Sequence, residues 1–386
     1  MGQVSHDLPM AAIGDSAFVI STNGFVDGPA QALRDYLVRA GAGTLTFVAH
    51  PLDRDSGSRH VVSTYEGGRL TRERGPVVPS RPPATFPLDL VVPLRLPPCD
   101  AWFGFNNLAC LRGLVRRRFG RAGEVFYWAV DFVPDRFGPG ALTSVYDRLD
   151  RTVCARANGR IELSEAALAG RNDRLRLDRA EAAPAFVAPM GAWLDRVPTV
   201  DSGAWKRRRV VYLGHLVERQ GVTTLLQALA TLTDVHADIV GTGPLEQDLR
   251  REARALGIEQ RVVFHGFVED HAEVERILAR GTVAVAPYVE RDDNFTRYAD
   301  PGKLKAYLAA GLPVILTAVP PNAAEISAAG AGKLVNGTPE AVAGGIAALL
   351  ATEREWRVAS SAAADFAKRY DWNAILAGLL ARLGYD

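Results

Sequence analysis

Between residues 208 and 317 short apolar runs alternate with amphipathic segments, and this alternation limits the folds open to the chain more than any other feature. "RRVVYLGHL" (208–216) reads as a strand and "GVTTLLQALATL" (221–232) as a helix. Strand "ADIVGTG" (237–243), helix "PLEQDLRREARALG" (244–257) and strand "RVVFHGF" (261–267) follow. Helix "AEVERILARG" (272–281), strand "VAVAPY" (283–288), a further short helix and strand "VILT" (314–317) complete the run. Parallel strands need crossovers, so this order predicts a mostly parallel sheet flanked by helices.

The first half repeats the alternation more loosely. Strands are expected at "AFVIST" (17–22), "TLTFVAHP" (44–51), "LDLVVPL" (88–94), "DAWFGF" (100–105), "EVFYWAVD" (124–131) and "GRIELS" (159–164). Helices are expected at 29–41 and 141–157. Residues 52–87 are polar and Pro-rich, an irregular or edge region, and the Ala- and Pro-rich 181–198 reads as a linker. The 386 residues suffice for two domains. Parallel sheets bind ligands beyond the carboxyl ends of their strands, and two facing sheets would place a cleft between the halves.

Composition narrows the function. Lys plus Arg number 45 against 44 Asp plus Glu, which argues against general nucleic-acid binding. Cys99, Cys110 and Cys154 lack metal-ligand spacing and suit a reducing cytosol. The seven histidines lack zinc spacing, so no metal or cofactor is expected. The N-terminal segment lacks the basic region and apolar core of a signal peptide, and no apolar run is long enough to span a bilayer. A cytoplasmic location is therefore expected.

Several short stretches could carry chemistry. In "YADPGKLKAYLAAGLPVILT" (298–317), Asp300 suits an N-cap and Pro301 a first helical residue. Gly311 suits the helix end, and Pro313 prevents its continuation. Lys303 adds a full charge to the positive end of that helix, a ready anion site; taken alone, the stretch favours an ordinary capped helix with a surface lysine. "VGTGPLE" (240–246) brings Gly241 and Gly243 to a strand-helix turn without the third glycine of a dinucleotide fingerprint. In "GHLVERQG" (214–221), Arg219 or a protonated His215 could meet a phosphate. "NGFVDGPAQ" (23–31) is a loop entering a helix. Asp131 follows an apolar strand, where a carboxylate raised by burial could serve as general base on a hydroxyl. The acidic pair in "RDDN" (291–294) has no oxygen cage around it. "LRGLVRRRFGR" (111–121) interleaves basic and apolar residues and could rest on an anionic membrane surface.

Read in order, "VVYLGHLVERQGVTTLLQALA", "ADIVGTGPLEQDLRREARALG", "VVFHGFVED", "VAVAPY" and "GKLKAYLAAGLPVI" resemble the nucleotide-sugar domain of GT-B glycosyltransferases, in particular those like family 4. "FVAPMGAWLDR" is similar to the family's interdomain segment, and "FAKRYDWNAILAGLLARL" to its final helix. The resemblance implies an α/β GT-B fold with two Rossmann-like domains facing across a cleft. An acceptor-binding domain would span 1–190, a nucleotide-sugar domain 199–365, and a terminal helix 366–386 would pack back on the first.

It further implies transfer of a sugar from a nucleotide-sugar donor to a hydroxyl of a glycan, lipid-linked or small-molecule acceptor, in cell-surface glycan or metabolite biosynthesis. Lys303 would hold the leaving diphosphate and Asp131 would be the base, as in similar segments of the xanthan glucuronosyltransferase. An Asp base of this kind suits inversion of configuration. The implied donor site comprises Gly24, His215, Arg219, Gln220, Gly241, Gly243, Phe267, Tyr288, Tyr298, Asp300, Gly302 and Tyr307. Four positions depart from the family: His215 and Gln220 replace its Arg and Lys, and Tyr298 and Ala306 replace its acidic pair. Those departures motivate the alternative of a catalytically silent GT-B partner of another transferase.

Overall fold

The computed structural model describes residues 10–24, 27–51, 59–78, 86–178, 180–291 and 294–386. The chain divides into two compact units, one of Met1–Pro189 with Asn373–Asp386 and the other of Met190–Trp372.

The first unit is built on an eight-stranded sheet. Its strands are β1 (Ala17–Asn23), β2 (Thr44–His50), β3 (Val61–Glu66), β4 (Arg69–Arg74), β5 (Cys99–Gly104), β6 (Ala122–Ala129), β7 (Gly159–Glu162) and β8 (Ala185–Val187). They lie in the order β4-β3-β2-β1-β5-β6-β7-β8. From β2 to β8 the neighbours are parallel, whereas β3 and β4 add on antiparallel. The central strand β1 is buried from Phe18 to Thr22 because both its faces are covered. The edge strand β4, "RLTRER", is exposed and charged, which guards an unpaired edge against further pairing.

Two local expectations need correction, and a third is narrowed. "LDLVVPL" is no strand: Phe86–Asp89 is a short helix followed by a turn. Pro87 fits a first helical turn, and Pro93 has no N–H for a ladder. Residues 61–74, expected to be irregular or at an edge, form the edge pair β3–β4. Within the expected linker, Ala185–Val187 is a strand paired with β7, so the passage between units lies nearer residue 190.

The second unit has a six-stranded, wholly parallel sheet. Its strands are β9 (Arg209–Leu213), β10 (His236–Val240), β11 (Val262–Gly266), β12 (Val283–Ala286), β13 (Val314–Leu316) and β14 (Gly332–Leu334). The order β11-β10-β9-β12-β13-β14 is that of a doubly wound nucleotide-binding fold, reversing direction between β9 and β12. Each face carries its own core. Leu225, Leu229 and Ile346 pack on one side. Leu304, Tyr307, Leu308 and Phe366 pack on the other.

Helix Trp372–Arg382 ends the fold, and from Asn373 it belongs to the first unit. Leu376, Leu379 and Leu380 are buried there, and the Tyr385 hydroxyl donates to Glu124 at 3.1 Å. Among the described residues no helix is long and apolar enough to cross a membrane.

Candidate functional site

The candidate site of the second unit lies at the carboxyl end of β9, beside the reversal in strand order. Lys303 is its centre. Its ammonium donates to Gln220 Oε1 at 2.5 Å and sits 4.5 Å from the ring centroids of both Tyr212 and Tyr288. Burial against these rings pulls the ammonium from its usual value down to about 7, since desolvation disfavours the charged form. An anion brought to this point would reverse that shift.

The local sequence explains the placement. Helix Gly302–Ala309 starts one residue later than expected, with Pro301 rather than Asp300 at the N-cap and no side chain capping it. Its first N–H groups and its positive end are therefore left for another acceptor. Gly311, at φ +75°, terminates the helix just past Ala310, as expected.

Asp300 has a different task from the one expected. Its carboxylate pairs with the fully buried Lys305, accepts from Asn322 Nδ2 at 3.2 Å, and accepts from the Met190 N–H at 2.7 Å. With Lys305 also 4.6 Å from the Tyr370 ring, this network fixes the start of the helix and is not available to a ligand. Tyr307 is likewise structural: buried, it accepts the Leu213 N–H at 2.6 Å and so ties the helix to the end of β9.

Two glycines hold the floor of the site. Gly241, at φ +126°, lies so close to the next loop that a Cβ would meet Gly214 O at 2.0 Å. Gly221, at φ +72°, faces Pro287 O, which a Cβ would meet at 1.8 Å. A Cβ at Gly243 would likewise meet Leu216 O, at 2.4 Å. The loops after β9 and β10 thus interlock through backbone, with the Leu216 N–H donating to Thr242 O at 2.8 Å.

The remaining expected donor residues are spread more widely. Arg219 lays its guanidinium over Phe295, 4.7 Å from the ring centroid, and its Nε is buried without a hydrogen-bond partner. The Tyr288 hydroxyl is also buried and unpartnered. His215 is exposed, and its carbonyl accepts from the Tyr212 hydroxyl at 3.1 Å. Phe267 is exposed just beyond β11, and Tyr298 and Gly302 are half-buried before and at the helix start. Asp292 and Asp293 of "RDDN" lie outside the described residues.

In the first unit, Asp131 stands just beyond β6, as the sequence suggests, but it is exposed rather than buried. Its carboxylate pairs with Arg136. Its backbone is held from below: the fully buried Arg171 donates to Asp131 O at 2.6 Å while pairing with Asp150 and with Glu162, the latter at 2.8 Å. Tyr127 closes this network by donating to Asp150 at 2.6 Å. Nothing in the sequence pattern pointed to Arg171, because its partners come from separate helices and strands.

Gly24, at φ +90°, ends β1 and donates to His50 O at 2.8 Å. Beside it lies a buried group that sequence spacing did not bring together: His50, His60 and Asp89. Burial, together with the Arg112 charge, pulls both imidazoles down, His50 to about 3, and burial pushes the Asp89 carboxyl up to about 7.

These two doubly wound units have the fold of GT-B glycosyltransferases. The chain superposes on sucrose-phosphate synthase from Thermosynechococcus elongatus with a TM-score of 0.71, over 96% of this chain and 98% of that one, at 18% identity. HepE from Anabaena in complex with UDP gives a TM-score of 0.68 at 17% identity, over 95% and 99% of the two chains. WaaG, a glycosyltransferase involved in lipopolysaccharide biosynthesis, gives 0.63 at 16% identity, over 94% and 98%. At these identities the likeness is one of fold.

Residues 207–352, within the second unit, match the family described as Glycosyl transferases group 1. A 61-residue stretch is 38% identical to the lipopolysaccharide core biosynthesis glycosyltransferase LpsE of Rhizobium meliloti (strain 1021). That stretch spans 16% of this chain and 18% of the length of that relative.

Proposed function

We propose that the chain transfers a sugar from a nucleotide-sugar donor to an acceptor hydroxyl, in the building of a cell-surface glycan. The observation that carries this reading is Lys303: a desolvated ammonium, poised near neutrality, beside an uncapped helix N-terminus and glycine-bounded loops in a group 1 domain. A diphosphate supplies what that arrangement lacks, an anion for the ammonium and acceptors for the free N–H groups. As the bond from the sugar to the diphosphate breaks, negative charge grows on the phosphate oxygens, and fixed donors stabilise it without reorganising. This reading gives that charge to Lys303 and the helix rather than to a metal ion.

UDP is the first donor nucleotide to test, because the HepE structures hold UDP and UDP-glucose and LpsE is a lipopolysaccharide enzyme. Asp131 is assigned the acceptor proton: it is exposed, at a strand's carboxyl end, and its backbone is pinned by Arg171. The surface at Val115, Arg118, Phe119 and Arg121 is exposed and both apolar and basic, which suits a lipid-linked acceptor at an anionic membrane. Arg112 and Arg116 are not part of that surface, since both donate to backbone carbonyls.

The deciding experiment is calorimetric titration with UDP, GDP, dTDP and ADP, on wild type and Lys303→Ala. Tight binding of one nucleotide, weakened at least tenfold in the variant, supports the transferase. No binding of any nucleotide overturns it in favour of a silent GT-B partner protein.

A further inference from the structure

We infer that the first unit binds a single divalent cation of the zinc class through His50, His60 and Asp89. His50 ends β2, His60 immediately precedes β3, and Asp89 closes the helix Phe86–Asp89, so three separate segments converge. All three side chains are buried, at 0%, 0% and 2% exposure.

The geometry is that of a ligand set. His50 Nδ1 lies 2.8 Å from His60 Nδ1 and 3.5 Å from Asp89 Oδ1, and His60 Nδ1 lies 4.0 Å from the same oxygen. A point equidistant from three atoms so separated falls inside their triangle, about 2.0 Å from each, the length of a zinc bond to imidazole nitrogen or carboxylate oxygen. Two imidazoles and one carboxylate are the ligand set of an open site, and a tetrahedral arrangement with a water in fourth place is reached when the three atoms move to about 3.3 Å apart and the ion rises out of their plane.

At the three facing atoms the hydrogen bonding points the same way, while both Nε2 atoms, which would carry the ring protons, are buried without a protein partner. A bond between the two rings would satisfy one Nδ1 pair only, and Asp89 Oδ1 is buried without any partner. A cation at the equidistant point satisfies all three atoms at once. The other carboxylate oxygen, Oδ2, accepts from Asn23 Nδ2 at 2.6 Å, which orients the ligand as an outer-shell partner does. Arg112 lies nearby, but its guanidinium is spent on backbone carbonyls, donating to Asp89 O at 3.1 Å and to Val91 O at 3.5 Å, and also to Val92 O and Pro93 O. Those contacts brace the turn after Asp89. Bound metal would pin β2, the entry to β3 and this turn as one body, and the inference stands whether or not the chain transfers a sugar.

The test uses full-length protein stripped with a chelator and titrated with zinc by calorimetry and with cobalt by visible absorption. One equivalent of each is expected, with the intense visible bands of a four-coordinate cobalt site that zinc then abolishes. His60→Gln and Asp89→Asn are expected to weaken zinc binding more than a hundredfold, and Asn23→Ala by about ten- to a hundredfold, with circular dichroism unchanged. Should a ligand variant fail to fold, X-ray absorption of zinc-loaded wild type is expected to report two imidazoles in the first shell. The inference is overturned if stripped wild type takes up no metal, if the folded variants bind as wild type does, or if bound zinc has no imidazole ligand.

Discussion

Replacing Asp300 by Ala removes the carboxylate paired with a lysine that has no access to water. Lys305 is 0% exposed, and Asp300 is the carboxylate that pairs with its ammonium. Stranding a buried charge costs about 3–5 kcal/mol. The same substitution removes the acceptor of the half-buried Met190 N–H, held at 2.7 Å, and losing a hydrogen bond to a charged group costs about 1.5–3 kcal/mol more. These losses share one site and do not add in full, so about 4–6 kcal/mol is expected. That is a large part of the total for a domain, about 5–15 kcal/mol.

Urea unfolding followed by circular dichroism reads the global loss. Amide hydrogen exchange over residues 300–310 shows that it is centred on the helix start. The double variant Asp300→Asn with Lys305→Met removes both charges and keeps an acceptor for Met190, so it should recover most of the stability. A single variant within about 1 kcal/mol of wild type would refute the reasoning. So would a double variant no better than the single one.

Four further outcomes are expected. Because burial holds Lys303 down to about 7 and a bound diphosphate would raise it, nucleotide affinity should be flat below about pH 7. Above that it should fall by up to tenfold per pH unit, and Lys303→Met should abolish the slope in calorimetry across pH 6–9. Asp131→Asn should lower kcat about 10²- to 10⁴-fold with nucleotide Kd unchanged, read by steady-state kinetics beside titration. Gly241→Ala should unfold at lower urea and lose nucleotide binding, because the new Cβ would meet Gly214 O at 2.0 Å at a positive φ. Truncation after residue 372 should unfold the first unit: it strips Leu376, Leu379 and Leu380 from the core at about 1.5–3 kcal/mol each, and proteolysis should then cut within 10–189 while sparing the second unit.

The alternation of strand and helix was legible because period and punctuation are local. Every strand expected in 208–317 is present within a few residues, and Gly311 and Pro313 mark a real helix end. "LDLVVPL" misled because a short apolar run has no period of its own, and Pro93 with the preceding Pro87 decides its conformation. The strand Ala185–Val187 hid among Ala and Pro because its stabilisation comes from β7, not from its own composition.

For the site, the division follows the range of the interactions. By itself the sequence determined the doubly wound architecture, the order of its segments, and the placing of Lys303 at a helix start and Asp131 after a strand. Those features rest on neighbours a few residues apart. Only the tertiary structure decided what each charge meets. It turned Asp300 from an expected ligand into the partner of Lys305, left Asp131 exposed on a backbone held by Arg171, and set Lys303 between two tyrosine rings. It also gathered His50, His60 and Asp89, which no spacing rule connects. The energies of ionised groups depend on burial and on partners distant in the chain, and those are properties of the packed fold alone.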